Sequence, residues 1–260
     1  MRHSKVLARL RADQPVMMCS VTMGVSAMTA EMAGLFGFHA VWLDMEHRPL
    51  TWREVETLIM GTRLGDTDAV VRIRKEEGYA TFMRPLQDGA SGLMVPHVRS
   101  AGEAARWVEY ARYAPQGRRG LENVMRDADM GLATTADYLA HTSRETFLIL
   151  QIEDLEAIAA LDEIAAVPGY DILFVGPADL SHGYGVTGEL RHPKVQAAIE
   201  EVAAAAARHG KWWGLPVSSV DDAARYIDLG GRFFNFGGDY GWIRSGMQQV
   251  SRAFGERFGN

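Results

Sequence analysis

The sequence predicts a (β/α)8 TIM barrel, an α/β fold closing as a single domain over residues 1–260. Eight short apolar runs rich in branched side chains alternate with longer amphipathic stretches. The runs are apolar almost without a break, which suits parallel strands covered by helices better than strands with one wet face. No low-complexity linker divides the chain, and its 260 residues suit one barrel, a fold that commonly takes about 250.

In chain order the strands are expected at Val16 to Val21, His39 to Leu43, Ala69 to Ile73, Gly92 to Val98, Phe147 to Ile152, Asp171 to Val175, Trp212 to Val217 and Arg232 to Phe236. Between them Trp52 to Leu64, Ala101 to Tyr113, Ala157 to Ala166, Pro193 to Arg208 and Asp221 to Leu229 place apolar residues at helical spacing. Ser100 and Ser219 stand as N-caps, and Gly210 and Gly230 stand where helices end. The alanines at 203–207 suit a helix face in close packing. A last helix is expected from Ser245 to Phe258.

Composition narrows the function classes. Hydrophobic residues at 47% and charged residues at 23% describe an ordinary globular chain, neither disordered nor membrane-embedded. No apolar run approaches the roughly 18 residues of a spanning helix, and Met1-Arg2-His3-Ser4-Lys5 leads into no signal-peptide core, so a cytoplasmic address is the default expectation. A net charge of -6 without a Lys/Arg block argues against nucleic acid as a partner. The one cysteine, Cys19, excludes an internal disulfide and a thiolate cluster, and its apolar run suits a buried inert thiol.

In such barrels chemistry gathers at the carboxyl ends of the strands. Four expected strands carry polar groups there: Asp44-Met45-Glu46-His47 after the second, Arg72 on the third, Gln151-Ile152-Glu153 on the fifth and Gly176-Pro177-Ala178-Asp179 after the sixth. Glu153 and Asp179 together offer hard oxygen ligands suited to Mg2+ or Mn2+, although either alone fits a solvated loop carboxylate. His47 can serve as a general base, directly or through water, with Asp44 or Glu46 orienting it; a structural histidine is the other reading. Arg72 supplies fixed positive charge for a developing anionic oxygen, or a structural ion pair. Gln151 lies two residues before Glu153, hence on the same side of a strand.

Three further features are less specific. The loop Pro115-Gln116-Gly117-Arg118-Arg119-Gly120 fits a cation presented to substrate or to a neighbouring subunit, and fits a solvated turn equally. Trp212-Trp213 suits core or interface packing. Gly237-Gly238-Asp239 is similar to a phosphate-binding turn but lacks a longer glycine pattern.

Taken together, these segments resemble the HpcH/HpaI aldolases, the class II pyruvate-dependent aldolases of the phosphoenolpyruvate/pyruvate barrel superfamily. The resemblance runs from Phe38 to about Asp239, through Asp44-Met45-Glu46-His47, Val70-Val71-Arg72, the Gly89–Pro96 segment, Arg119-Gly120, Gln151-Ile152-Glu153 and Val175-Gly176-Pro177-Ala178-Asp179-Leu180-Ser181. The last two motifs at their separation are the specific part. The resemblance implies His47 as base supported by Asp44, Arg72 as the enolate-stabilising residue, Glu153 and Asp179 as metal ligands, and Gln151 and Ala178 as substrate contacts. It implies Mg2+ or Mn2+, with Co2+ a further candidate, and a homo-oligomer, often a hexamer in this family.

The chain departs from the family pattern at three places. Leu86-Gln87-Asp88-Gly89 stands where the family has a Leu-Asp-x-Gly segment whose Asp raises the histidine's basicity, so either Asp88 substitutes from a shifted position or that support is lost. Met45 replaces a usual glycine, and Arg48-Pro49-Leu50 follows the histidine where smaller or amide residues are frequent.

The implied reaction removes a methyl proton from pyruvate bound at the metal, holds the enolate with metal charge and Arg72, and lets it attack an aldehyde, or runs in reverse on 4-hydroxy-2-oxo acids. The lysines Lys5, Lys75, Lys194 and Lys211 offer a poorer Schiff-base route, since only Lys75 lies near the expected rim. Alternatives are another enolate-forming lyase, such as an oxaloacetate decarboxylase, and a non-catalytic binding barrel.

Overall fold

The computed structural model describes residues 1–259. After α1 (Lys5–Arg11), eight strands form a closed, all-parallel barrel in chain order: β1 (Val16–Ser20), β2 (Ala40–Asp44), β3 (Asp68–Arg72), β4 (Gly92–Val95), β5 (Phe147–Ile152), β6 (Ile172–Val175), β7 (Trp212–Pro216) and β8 (Phe233–Gly238), with β8 pairing back to β1. The helices between them are α2 (Ala27–Leu35), α3 (Trp52–Leu64), α4 (Tyr79–Asp88), α5 (Ala101–Ala111), α6 (Thr135–Glu145), α7 (Leu155–Ala159), α8 (Leu161–Ala166), α9 (Pro177–Gly183), α10 (Pro193–His209) and α11 (Val220–Asp228). A long α12 (Asp239–Phe258) follows the last strand. Among the described residues no helix is long and apolar enough to cross a membrane.

Local sequence accounts for most boundaries. Ser100 and Ser219 accept the amides of Glu103 and Asp222, so α5 and α11 start where their caps predict. Thr51 and Glu54 cap each other's backbone at the start of α3, the reciprocal box that a Thr-x-x-Glu spacing allows. Gly210 ends α10 at φ 62, a left-handed position that a side chain would resist.

Some boundaries differ from expectation, for identifiable reasons. β4 stops at Val95 rather than Val98, because Pro96 has no amide for the ladder and His97 turns to φ 51. The stretch read as one helix from Ala157 to Ala166 is two, separated at Ala160. α12 begins at Asp239, ahead of the expected Ser245, directly after β8 ends at Gly238. β2 runs one residue further than expected, which brings Asp44 into the sheet opposite Arg72.

The barrel interior is plugged by Met18, Trp42, Val70, Met94, Phe147, Ile149, Ile172, Phe174 and Phe233. Large rings fit there because facing positions are small. A Cβ on Gly92 would overlap the Phe147 ring, and one on Gly214 would overlap the Phe233 carbonyl. Phe174 meets Trp42 and Phe233 edge to face at ring separations of 5.6 and 5.9 Å. A separate apolar shell lies between the sheet and the helices and contains Cys19, whose thiol burial and the nearby Asp239 charge push up to about 12. The barrel's lower end is tied to α1 by the buried Asp68 carboxylate, which accepts from Ser4 Oγ at 2.6 Å and Val6 N at 2.9 Å. Polar side chains on the inner face are thereby left to the opposite rim.

Candidate active site

The β2–β3 register sets Asp44 beside Arg72, and their side chains form a two-pronged ion pair. Arg72 Nε donates to Asp44 Oδ1 at 2.9 Å and Nη2 to Oδ2 at 2.7 Å. Burial alone would raise the Asp44 carboxyl's pKa, but the Arg72 guanidinium outweighs it and holds it below the usual carboxylate range. Arg72 also lies over the Trp42 ring, 4.8 Å from its centre, so the guanidinium is fixed in plane by Asp44 and on one face by an indole. Its Nη1 donates to Gln151 Oε1 at 3.4 Å and sits 3.0 Å from Glu46 Oε2, a charge contact too poorly aligned to count as a hydrogen bond.

Gln151 passes this order along β5. Its Nε2 donates to Glu153 Oε2 at 2.7 Å, as two residues on one side of a strand permit, while the His97 amide donates to Glu153 Oε1 at 2.8 Å. The left-handed backbone at His97 aims that amide, and its imidazole Nδ1 lies 3.0 Å from Asp154 Oδ2. Glu153 is only 3% exposed. Burial pushes its carboxyl up to about 7 against the lowering effect of the His97 amide, and the neighbouring Asp179 charge adds to the rise. A Cβ on Gly176 would overlap Glu153 Oε2, so the glycine that opens the β6–α9 turn leaves the carboxylate its space.

Glu153, Arg72, Gln151 and His47 line one cavity with Gly176, Ala178 and Asp179 from the turn after β6. Asp179 is exposed and, among the described residues, its carboxylate has no ion-pair partner within 4.0 Å. His47, Arg72, Gln151, Glu153, Ala178 and Asp179, the candidate site residues read from sequence, therefore meet at one rim, with Asp44 just behind the wall. His47 is the loosest of them. Its side chain is 59% exposed, with Nε2 3.7 Å from Glu46 Oε2. Asp44 does not orient the imidazole as expected: its Oδ1 instead accepts the backbone amides of Glu46 and His47, at 3.0 and 3.2 Å, because its side chain is committed to Arg72. It fixes the turn that carries His47 rather than the ring.

Residues 18–245 match the sequence profile of the family described as HpcH/HpaI aldolase/citrate lyase. The chain belongs to this family. It is 35% identical over 254 residues, 96% of each chain, to a 5-keto-4-deoxy-D-glucarate aldolase of Klebsiella pneumoniae subsp. pneumoniae. Among solved structures it superimposes on an HpcH/HpaI aldolase from Desulfitobacterium hafniense DCB-2 with a TM-score of 0.90 at 26% identity, covering 96% of both chains. A member of the HpcH/HpaI aldolase/citrate lyase family from Burkholderia cenocepacia J2315 gives 0.87 at 30% identity, over 96% of this chain and 98% of that one. As an aldolase of the HpcH/HpaI family the chain is an enzyme, a carbon-carbon lyase, and not a bare binding barrel.

Several expectations read from the sequence change in this chain. Asp88 ends α4 at the barrel's amino-terminal face and takes the Arg84 Nε at 3.0 Å, so neither it nor Gln87 reaches His47 of the same chain. Arg119 is neither a presented cation nor a solvated turn. It is buried over the Tyr113 ring and donates to Asp127 at 3.0 Å, a hub that holds the α5–α6 connection. Gly237-Gly238-Asp239 holds no phosphate cradle, because the nearby amides of Thr22, Met23 and Gly24 already receive the Asp239 carboxylate. Lys75 donates to the His97 carbonyl and pairs with Glu103, which takes it out of the cavity.

Sequence reasoning missed Trp42, His97, Arg191, Ser218 and Asp222. Trp42 sits two residues before Asp44, so period two along β2 places it on the same inner face. His97, Arg191 and Ser218 lie in the connections after β4, α9 and β7, where no periodicity marks them, and Asp222 lies in the first turn of α11.

Proposed function

We propose that the chain is a divalent-metal-dependent aldolase that joins pyruvate, as enolate donor, to an aldehyde and cleaves 4-hydroxy-2-oxo acids in the reverse direction. The observation that carries this reading is the buried Glu153 carboxylate, spaced by Gly176 and lining one cavity with an Asp179 that, among the described residues, has no cation of the protein within 4.0 Å. Two carboxylates without thiolate or imidazole suit Mg2+ or Mn2+, with Co2+ a further candidate, and leave the other positions to water and substrate.

When bound at Glu153 and Asp179, the cation would draw charge from the carboxylate and keto oxygens of pyruvate and acidify its methyl group. Gln151 orients Glu153 and touches substrate, and Ala178 lines the wall against which the keto acid lies. Arg72 presents a guanidinium already fixed by Asp44 and Trp42 to the oxygen on which charge develops, so little reorganisation accompanies the reaction. His47 takes the methyl proton, directly or through water, and returns it in cleavage.

The Klebsiella relative's name points to a substrate class. Counted from the keto end, a 5-keto-4-deoxyglucarate is a 4-hydroxy-2-oxo acid with a second carboxylate at its far end. The same reading treats residues 1–260 as one catalytic unit, working in the cytoplasm as a homo-oligomer through α12, which leaves Met247, Val250 and Phe254 exposed. The deciding experiment follows pyruvate release from 4-hydroxy-2-oxo acids with lactate dehydrogenase and NADH. Release should stop on chelation and return with Mg2+ or Mn2+. Full turnover after exhaustive chelation, with metal excluded by elemental analysis, would remove the metal from the reading.

A further inference from the structure

The cavity, about 540 Å3, is far larger than a three-carbon keto acid needs, and its charged lining falls into two groups. The inner group is Glu153, Asp179 and Arg72. Arg72 is engaged from every side by Asp44, Glu46, Gln151 and Trp42. The outer group is Arg191, from the α9–α10 connection, and Asp222, from the first turn of α11, with Ser218 of the β7–α11 turn beside them.

Asp222 is locked in the first turn of α11. Its Oδ2 accepts from Ser218 N at 3.2 Å and Ser218 Oγ at 3.1 Å, and its amide donates to Ser219 Oγ at 3.0 Å. The remaining oxygen, Oδ1, takes Arg191 Nη2 at 2.9 Å. This single bond pins the tip of Arg191 at the cavity wall while its side chain stays 70% exposed. A guanidinium carries five N–H donors, and among the described residues no other acceptor engages this one. A tethered guanidinium with unused donors is matched to a planar anion, and among the described residues it is the lining's only guanidinium besides the fully engaged Arg72.

We propose that Arg191 is a specificity-determining residue that receives the carboxylate at the far end of the acceptor aldehyde, selecting carboxylated aldehydes over neutral ones. This rests on the aldolase reading above and adds the acceptor class to it. Removing the guanidinium would take away the anion's partner and leave Asp222 facing it with like charge, a penalty that a neutral acceptor escapes.

The test uses the Mn2+-loaded full chain, pyruvate and two acceptors of equal carbon count: 2-hydroxy-3-oxopropanoate, the fragment that aldol cleavage of a 5-keto-4-deoxyglucarate would leave, and glyceraldehyde, its neutral counterpart. The readout is the ratio of kcat/KM for the charged over the neutral acceptor. In Arg191→Gln the ratio should fall about tenfold or more, chiefly through KM of the charged acceptor, the size expected when a charge-assisted hydrogen bond is lost. Arg191→Lys, which keeps the charge without the fork, should fall between and guards against a folding defect in the first variant. Added salt should lower the wild-type ratio and leave the Gln variant's ratio flat, because an exposed charge is screened. An unchanged ratio, or equal losses with both acceptors, overturns the assignment. If wild type condenses pyruvate with neither aldehyde, the aldolase reading falls and this inference with it; if it uses both and only the ratio fails to move, the role of Arg191 alone is refuted.

Discussion

Arg72 donates through all three of its nitrogens, two to Asp44 and one to Gln151, and its face is covered by Trp42. A lysine would keep the charge but could not hold that geometry, so Arg72→Lys should lower kcat by about 10²-fold while KM for pyruvate changes little. Steady-state kinetics with saturating metal decide it, and an undiminished kcat would reduce Arg72 to an ion pair. His47 presents the opposite case, an exposed side chain. His47→Ala should slow exchange of pyruvate methyl protons with deuterated solvent by about 10²-fold, a partial reaction that needs no aldehyde. If exchange keeps its wild-type rate while aldol addition suffers, His47 belongs to the acceptor side and water is the base.

At the scale of elements, two turns carry consequences that neither strand pattern nor helix pattern contains. The turn after β6 leaves Glu153 its space only because residue 176 has no Cβ. Gly176→Ala should displace that carboxylate and weaken Mn2+ binding about tenfold or more, measured by titration calorimetry; a wild-type Kd would take Glu153 out of the metal site. The turn from β8 into α12 is tied to the β1–α2 loop by Asp239, which accepts from Thr22 N, Met23 N, Gly24 N and Tyr240 N at 2.8 to 3.0 Å. Burial raises this carboxyl's pKa, but those amides outweigh it and the net shift is downward. A depressed folded pKa means stabilisation that is present above the unfolded value of about 3.9 and is lost as pH falls through the folded one. Asp239→Asn puts an NH2 donor among amide donors and should cost about 1–3 kcal/mol near neutral pH. Urea midpoints measured from pH 7 downward should converge with those of wild type as pH falls below about 4. A gap that stays constant with pH would show that shape, not charge, holds the turn.

On the scale of the whole molecule, the barrel buries its strands on both sides, whereas α12 leaves Trp242, Ile243, Met247, Val250, Phe254 and Phe258 exposed, and α2 with its C-cap Phe36 does the same with Met28, Met32 and Leu35. Apolar surface of this extent is what self-association would cover. Wild type should therefore sediment as a multimer at micromolar concentration, and Val250→Asp combined with Phe254→Asp should shift it toward monomer while the far-ultraviolet circular dichroism of the barrel is retained. Sedimentation velocity reads this directly. A wild-type monomer at all concentrations would remove the homo-oligomer from the reading.

The barrel and the rim on which the candidate site stands were legible in the chain alone. Continuous apolar runs dictate two-sided burial, period two puts Gln151 and Glu153 on one side of β5, and polar residues after the strands mark the carboxyl-terminal face. Those are properties of single elements, and local spacing encodes them. What each side chain meets across an interface depends on register and closure, which no one segment contains. The pairing of residue 44 with residue 72 turned Asp44 from a partner of His47 into the clamp on Arg72. Burial under the α5–α6 connection turned Arg119 into a structural hub, and the approach of the β1–α2 loop filled the Gly237-Gly238-Asp239 turn with its own carboxylate. Arg191 and Asp222 stand 31 residues apart and carry no motif, and only the folding of the α9–α10 connection beside the start of α11 makes them one edge of the cavity.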